Sequence, residues 1–198
     1  MGEGMSESEK QLAAAPTGVG PLLARDYWAV IEHAKLGPRQ VMAEVKTHFT
    51  SLAPEELARF AATDSGQPLQ PGAELCIRIA AAGDCQVRVV HCDACSITLA
   101  TLEGHPEAGR ITFGAYRSKE GKLVFHIRSH ARSESLLRLF GFVVVGEAMQ
   151  TNTWTAFISR VAALAGGRVQ GFVHADMKAI DDAEDGAVDQ PTFIARED

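Results

Sequence analysis

The sequence predicts an α+β domain, an antiparallel sheet of six or more strands packed on a C-terminal helix. Three observations carry this. Between Glu74 and His130, short runs alternate apolar and polar residues with a period of two and are separated by turn-forming residues. Trp154, Phe157, Ile158, Val161 and Ala165 fall on one stripe at helical spacing. The 198 residues are enough for one domain with a sizeable core and short of a comfortable two.

The elements follow in order. Arg25 to Glu32 carries aromatic and β-branched residues and reads as a first strand, broken by Gly37-Pro38. Val41, Val45, Phe49 and Leu52, with Met42 alongside, mark a short helix. Ala53-Pro54-Glu55-Glu56-Leu57 looks like a second helix start, with proline in the first turn and two acids near the positive end. Leu57 and Phe60 would then face inward. After the loop Thr63–Pro68 and Pro71-Gly72 come alternating strands: Glu74–Ala80, Gln86–His91, Ser96–Leu102, Arg110–Arg117 and Lys122–His130. Alternation of this kind implies one buried face. A long helix, roughly Ser133–Ala165, closes the domain and stops at Gly166-Gly167. Thirty-odd residues would span about 45–50 Å, so a bend near Gly141 or Gly146 is expected.

Charge is unevenly placed. From Asp176 to Asp198 there are eight acidic and two basic residues, which accounts for the whole net charge of −6. The expected division is a flexible segment 1–19, a single domain 20–175 and an acidic tail 176–198, mobile and dispensable from about Ile180 onward. A neutral body offers no footprint for a phosphate backbone, so no nucleic-acid partner is expected. No apolar run reaches the length of a membrane span, and the N-terminus lacks the apolar core of a secretory signal. A cytoplasmic protein is the expectation.

The stretch Thr101-Leu102-Glu103-Gly104-His105-Pro106-Glu107-Ala108-Gly109-Arg110 packs a proline, two glycines, a histidine, two carboxylates and an arginine into ten positions. The pattern T-L-x-G-H-P-E-x-G followed by a strand resembles the family known as domain of unknown function nineteen-ninety. The resemblance covers about residues 20–165 and departs from the pattern at Arg110, where a carboxylate is usual. It implies the helix-grip architecture of the START-like superfamily, with a strongly curved sheet wrapped around the C-terminal helix and often a cavity between them. The family implies no activity.

Candidate chemistry is sparse. His105 and Glu107, restrained by Pro106, form either an acid–base pair or ligand clamp, or a histidine–carboxylate hydrogen bond that locks a sheet connection; the second reading is preferred. On the last strand of the meander, Leu123, Phe125 and Ile127 share one face, and Val124, His126, Arg128 and His130 the other. With the apolar set inward, the basic set faces solvent. In the opposite sense, His126 and Arg128 line the pocket and bind a carboxylate or phosphate. Glu147, Thr151 and Trp154 share a helical face that would place a carboxylate, a hydroxyl and an indole in the cavity. Cys92 and Cys95 have knuckle spacing, but Cys76 and Cys85 do not complete a zinc set, so neither metal nor cofactor is expected.

The expected function is binding of an apolar or amphipathic small molecule between sheet and helix. A hydrolase, cyclase or isomerase using a pocket His/Glu pair is the alternative, and a protein-interaction module the third. Ligand, reaction and oligomeric state are not written in the pattern.

Overall fold

Strand β1 (Val19–Glu32) lies inside the sheet, hydrogen-bonded on both sides, and begins six residues earlier than its aromatic run suggests. In the computed structural model, residues 11–54, 58–62, 67–79, 83–133, 151–187 and 191–192 are described. Helix α1 (Pro38–Leu52) follows β1. Gly37 caps it by donating its N–H to the Gln40 side chain at 2.9 Å, with Pro38 in the first turn. Then β2 (Ala58–Ala62), β3 (Glu74–Ile79), β4 (Gly83–Cys92), β5 (Ser96–Thr101), β6 (Glu107–Arg117) and β7 (Leu123–Ser133) pair antiparallel in succession. β1 joins β7 on one side, and on the other it pairs with β8 (Arg168–Val169) and β9 (His174–Ile180). Residues 151–164 form helix α2, and Asp182–Asp185 a single turn, α3.

The fold is helix-grip, as the resemblance implies, with the antiparallel sheet and C-terminal helix that the alternation and the stripe predict. The inner face of the sheet presents Tyr27, Ala29, Ile31, Ile97, Leu99, Phe113, Ala115, Phe125 and Ile127 to one core with α1 and α2. From α1 come Val41, Met42, Val45 and Phe49, and from α2 Phe157, Ile158, Val161 and Ala165. Phe157 stands at the centre of four aromatic rings, with centroids 5.3 Å from Phe49, 5.3 Å from Phe113, 6.2 Å from Phe125 and 6.2 Å from Trp154. The helix ends where the glycine pair predicts. Gly166, at φ +72°, donates to Ala163 O and Gly167 donates to Ala162 O, which together satisfy the last carbonyls of α2.

Four expectations change. The second short helix is a strand from Ala58 onward, because Ala58–Ala62 finds its hydrogen bonds on β3; Leu57 lies outside the described residues. Ser133 belongs to β7, paired with Glu107 of β6, rather than to the long helix. Residues 134–150, with the expected bend, lie outside the described residues. The acidic stretch is not a free tail in its described part. It enters the sheet as β9 and then lays Asp185 and Thr192, both buried, on the sheet. At the other end, residues 11–18 lie against the body: Ala13 N–H donates to Thr101 O at 2.8 Å, and Thr101 Oγ1 donates to Ala13 O at 2.9 Å.

Candidate functional site

Strand alternation sorts the polar residues onto two faces. Arg25 is two residues from Tyr27, and Ser129 is two from Ile127, so both lie on the inner face with the core. They are also directly opposite each other across β1 and β7. The next rung of β6 is Ile111, paired with Ser129. One step further along β6, Phe113 meets Trp154 of α2, rings 5.5 Å apart and edge to face. The apolar interior thus ends in a polar row. Arg25 gives Nη2 to Glu107 Oε1 at 3.1 Å, with only 8% of its side chain exposed. Its Nε and Nη1, the Oγ of Ser129 and the Nε1 of Trp154 are buried and have no hydrogen-bond partner among the described residues. Ser96 Oγ and Arg132 Nε share that condition, but both lie on the outer face, away from this row.

The turn before β6 holds this row in place. Thr101 Oγ1 accepts the Gly109 N–H at 3.0 Å, and His105 N–H donates to Leu102 O at 3.0 Å. The buried His105 ring sets Nδ1 3.1 Å from the Glu107 N–H and 2.9 Å from the Glu107 carbonyl, the tautomer choosing between them. His105 therefore fixes the backbone of Glu107, while the carboxylate of Glu107 reaches Arg25. His105 and Glu107 are thus joined through the main chain of Glu107, rather than by the expected histidine–carboxylate bond.

The outer face carries a second polar cluster. Asp26 accepts from His126 Nε2 at 2.6 Å and from Arg128 Nε at 2.5 Å. Burial pushes the Asp26 carboxyl up, but these bonds outweigh it and hold it below the usual carboxylate range. Asp185 sits between Arg110 Nη1, 3.1 Å away, and His130 Nδ1, 3.0 Å away. Burial holds the His130 imidazole below its ordinary value, against the pull of Asp185. Thr98 and Thr112 share a hydroxyl bond of 2.9 Å, and Thr192 donates its N–H to Thr112 Oγ1 at 2.9 Å.

The sequence-derived candidates divide accordingly. Trp154 is at the interior, and Thr151, half-buried, opens the described part of α2. Glu147 lies outside the described residues. His126 and Arg128 do not line the interior: Phe125 and Ile127 take the inner face, and a strand cannot send neighbours the same way. The basic set does not face open solvent either, since His126 and His130 are buried, the latter beneath Asp185. Arg25, Ser129, Asp26 and Asp185 escaped sequence reasoning. The one available signal was a charged residue two before Tyr27, in phase with the inner face.

A family model described as Domain of unknown function (DUF1990) matches residues 11–161. The chain belongs to this family. The inner row and its turn lie within the matched residues, whereas Asp185 and Thr192 lie beyond them. No curated protein matches the chain. Among solved structures it is similar to the KanY protein, with TM-score 0.54 and 11% identity over 75% of this chain and 100% of that one. It is also similar to a point mutant of norcoclaurine synthase from Thalictrum flavum in complex with a transition-state analogue, with TM-score 0.50 and 10% identity over 74% and 96%. A hypothetical protein, jhp0584 from Helicobacter pylori, gives TM-score 0.50 and 7% identity over 71% and 86%. Likeness at these identities establishes the helix-grip fold of this DUF1990 member and nothing about its chemistry.

Proposed function

We propose that this DUF1990 protein binds an apolar or amphipathic small molecule between the inner face of the sheet and helix α2. The observation that supports this is the polar row at the end of the apolar interior: Arg25 Nε and Nη1, Ser129 Oγ and Trp154 Nε1, all buried and all without a partner among the described residues. Native interiors satisfy about nine-tenths or more of such groups. Each one left unmade costs about 1–3 kcal/mol. A molecule with its apolar body against Phe113, Phe157 and Trp154 and an oxygen at the polar row would supply the missing acceptors. Such a site is concave, mostly apolar and carries a few convergent polar groups. Native mass spectrometry of the protein purified from its own host tests the reading. A retained small molecule, released on unfolding, is the expected result. A bare polypeptide mass, together with no uptake of an apolar fluorescent probe by the purified protein, would overturn it.

A further inference from the structure

We infer that the bound molecule is an amphipathic monocarboxylic acid, with Arg25 as the partner of its carboxylate. This rests on the binding reading above and gives it a ligand class.

The unmet groups share one property. Arg25 Nε and Nη1 and Trp154 Nε1 can only donate, and the Ser129 hydroxyl can donate as well. The occupant of this end must therefore accept. A ketone, ester or amide oxygen has two lone pairs, whereas a carboxylate offers about four acceptor sites on two oxygens, so that one group can meet donors on both strands. Charge points the same way: a guanidinium–carboxylate hydrogen bond is about twice as strong as a neutral one. Glu107 engages Nη2 alone and leaves the other nitrogens of the guanidinium for a second acceptor.

Position sets the rest of the molecule. Arg25 and Ser129 face each other on adjacent strands, so their side chains are about 5 Å apart at Cβ, a spacing that one carboxylate bridges. One rung along, the walls turn apolar at Ile127, Phe113 and Trp154. The chemistry is a single acidic head followed at once by a hydrocarbon chain or ring. Glu107, held by His105, is a positioning residue: it orients the guanidinium and does not touch the ligand.

Fluorescence titration of the full chain with dansyl-labelled undecanoic acid and with its methyl ester tests the assignment. The wild type is expected to bind the acid about ten-fold tighter than the ester, about 1.4 kcal/mol. Arg25→Met combined with Glu107→Gln, which leaves no buried charge alone, is expected to erase that preference while still taking up the ester. Ser129→Ala, the milder change, is expected to weaken the acid several-fold and leave the ester unchanged. Equal binding of acid and ester by the wild type would overturn the carboxylate assignment and leave the interior site standing. Retention of the acid preference in both variants would remove Arg25 and Ser129 from the site. Uptake of neither compound would overturn both the assignment and the binding reading.

Discussion

Arg25 and Asp26 are neighbours in the chain and opposites in the fold. Arg25 enters the interior, while Asp26 turns outward to His126 and Arg128. In the sequence the pair looks like a polar lead-in to an aromatic strand, because a charged residue at an inward position contradicts the pattern that identifies the strand. Phase alone marks Arg25, and a single residue in phase is a weak signal. His105 was more legible, since Pro106 and the flanking glycines announce a built turn. His105→Ala removes the ring that joins the Glu107 backbone and is expected to cost about 1–3 kcal/mol, read from denaturant unfolding. Two buried groups also give the protein a pH signature of known sign. The Asp26 carboxyl is lowered in the folded state, so its contribution is present above about pH 4 and is lost as pH falls through the lowered folded value. His130 is also lowered, so the unfolded chain takes the proton first as pH drops below 6.5, and stability falls from there down to the folded value. The melting temperature is expected to fall as the pH drops below 6.5, and His130→Gln to flatten that fall.

Among elements, the C-terminal segment departs most from its sequence. Acidic composition argues for a solvated tail, and β9 confirms how misleading exposure is: six of its seven residues are exposed, so no apolar alternation marks it as a strand. Its hydrogen bonds come from β1, whose other edge β7 already fills. Beyond it, Asp185 meets Arg110 and His130 on the outer face. Asp185→Ala leaves a buried arginine without its carboxylate and is expected to cost about 3–5 kcal/mol. At about 2–4 °C per kcal/mol for a chain of this size, that is a melting shift of about 6–20 °C. A chain ending at Ile180 is expected to lose at least as much; an unchanged melting curve would show that the segment does not brace the sheet. β6 and β7 have their own weak point at Gly109. Its φ is +156°, and a Cβ there would stand 2.1 Å from the His130 carbonyl oxygen. Gly109→Ala is expected to force the two strands apart and give little folded protein, read from soluble yield and circular dichroism.

The meander from β3 to β7 and the C-terminal helix were legible because their two signals are local, whereas β2, β8 and β9 carry neither signal. Period-two runs give strands, a period of 3.6 gives the helix, and the more numerous apolar positions choose the inner face. The candidate site was legible only at its turn and at Trp154. The partners that complete the outer cluster are joined across the chain: Asp26 to Arg128 over 102 residues, Arg110 to Asp185 over 75, Thr192 to Thr112 over 80. No window along the sequence contains them together. The same layout grades local stability. Amide exchange is expected to be slowest in β1 and β7, which are paired on both sides, and fastest in β2 and β9 at the margins. Protection in β9 equal to that in β7 would contradict the grading.

The place of β1 has a consequence for how the protein comes into being. It is made first and pairs only with what is made later: β7 about a hundred residues on, then β8 and β9. At a synthesis rate of about 5–20 residues per second, this strand waits about 5–20 seconds outside the ribosome with both edges bare. Its aromatic and β-branched run is then the segment most open to pairing with another copy of itself. The nascent chain, rather than the finished protein, is where a chaperone would make the difference between a closed sheet and an aggregate.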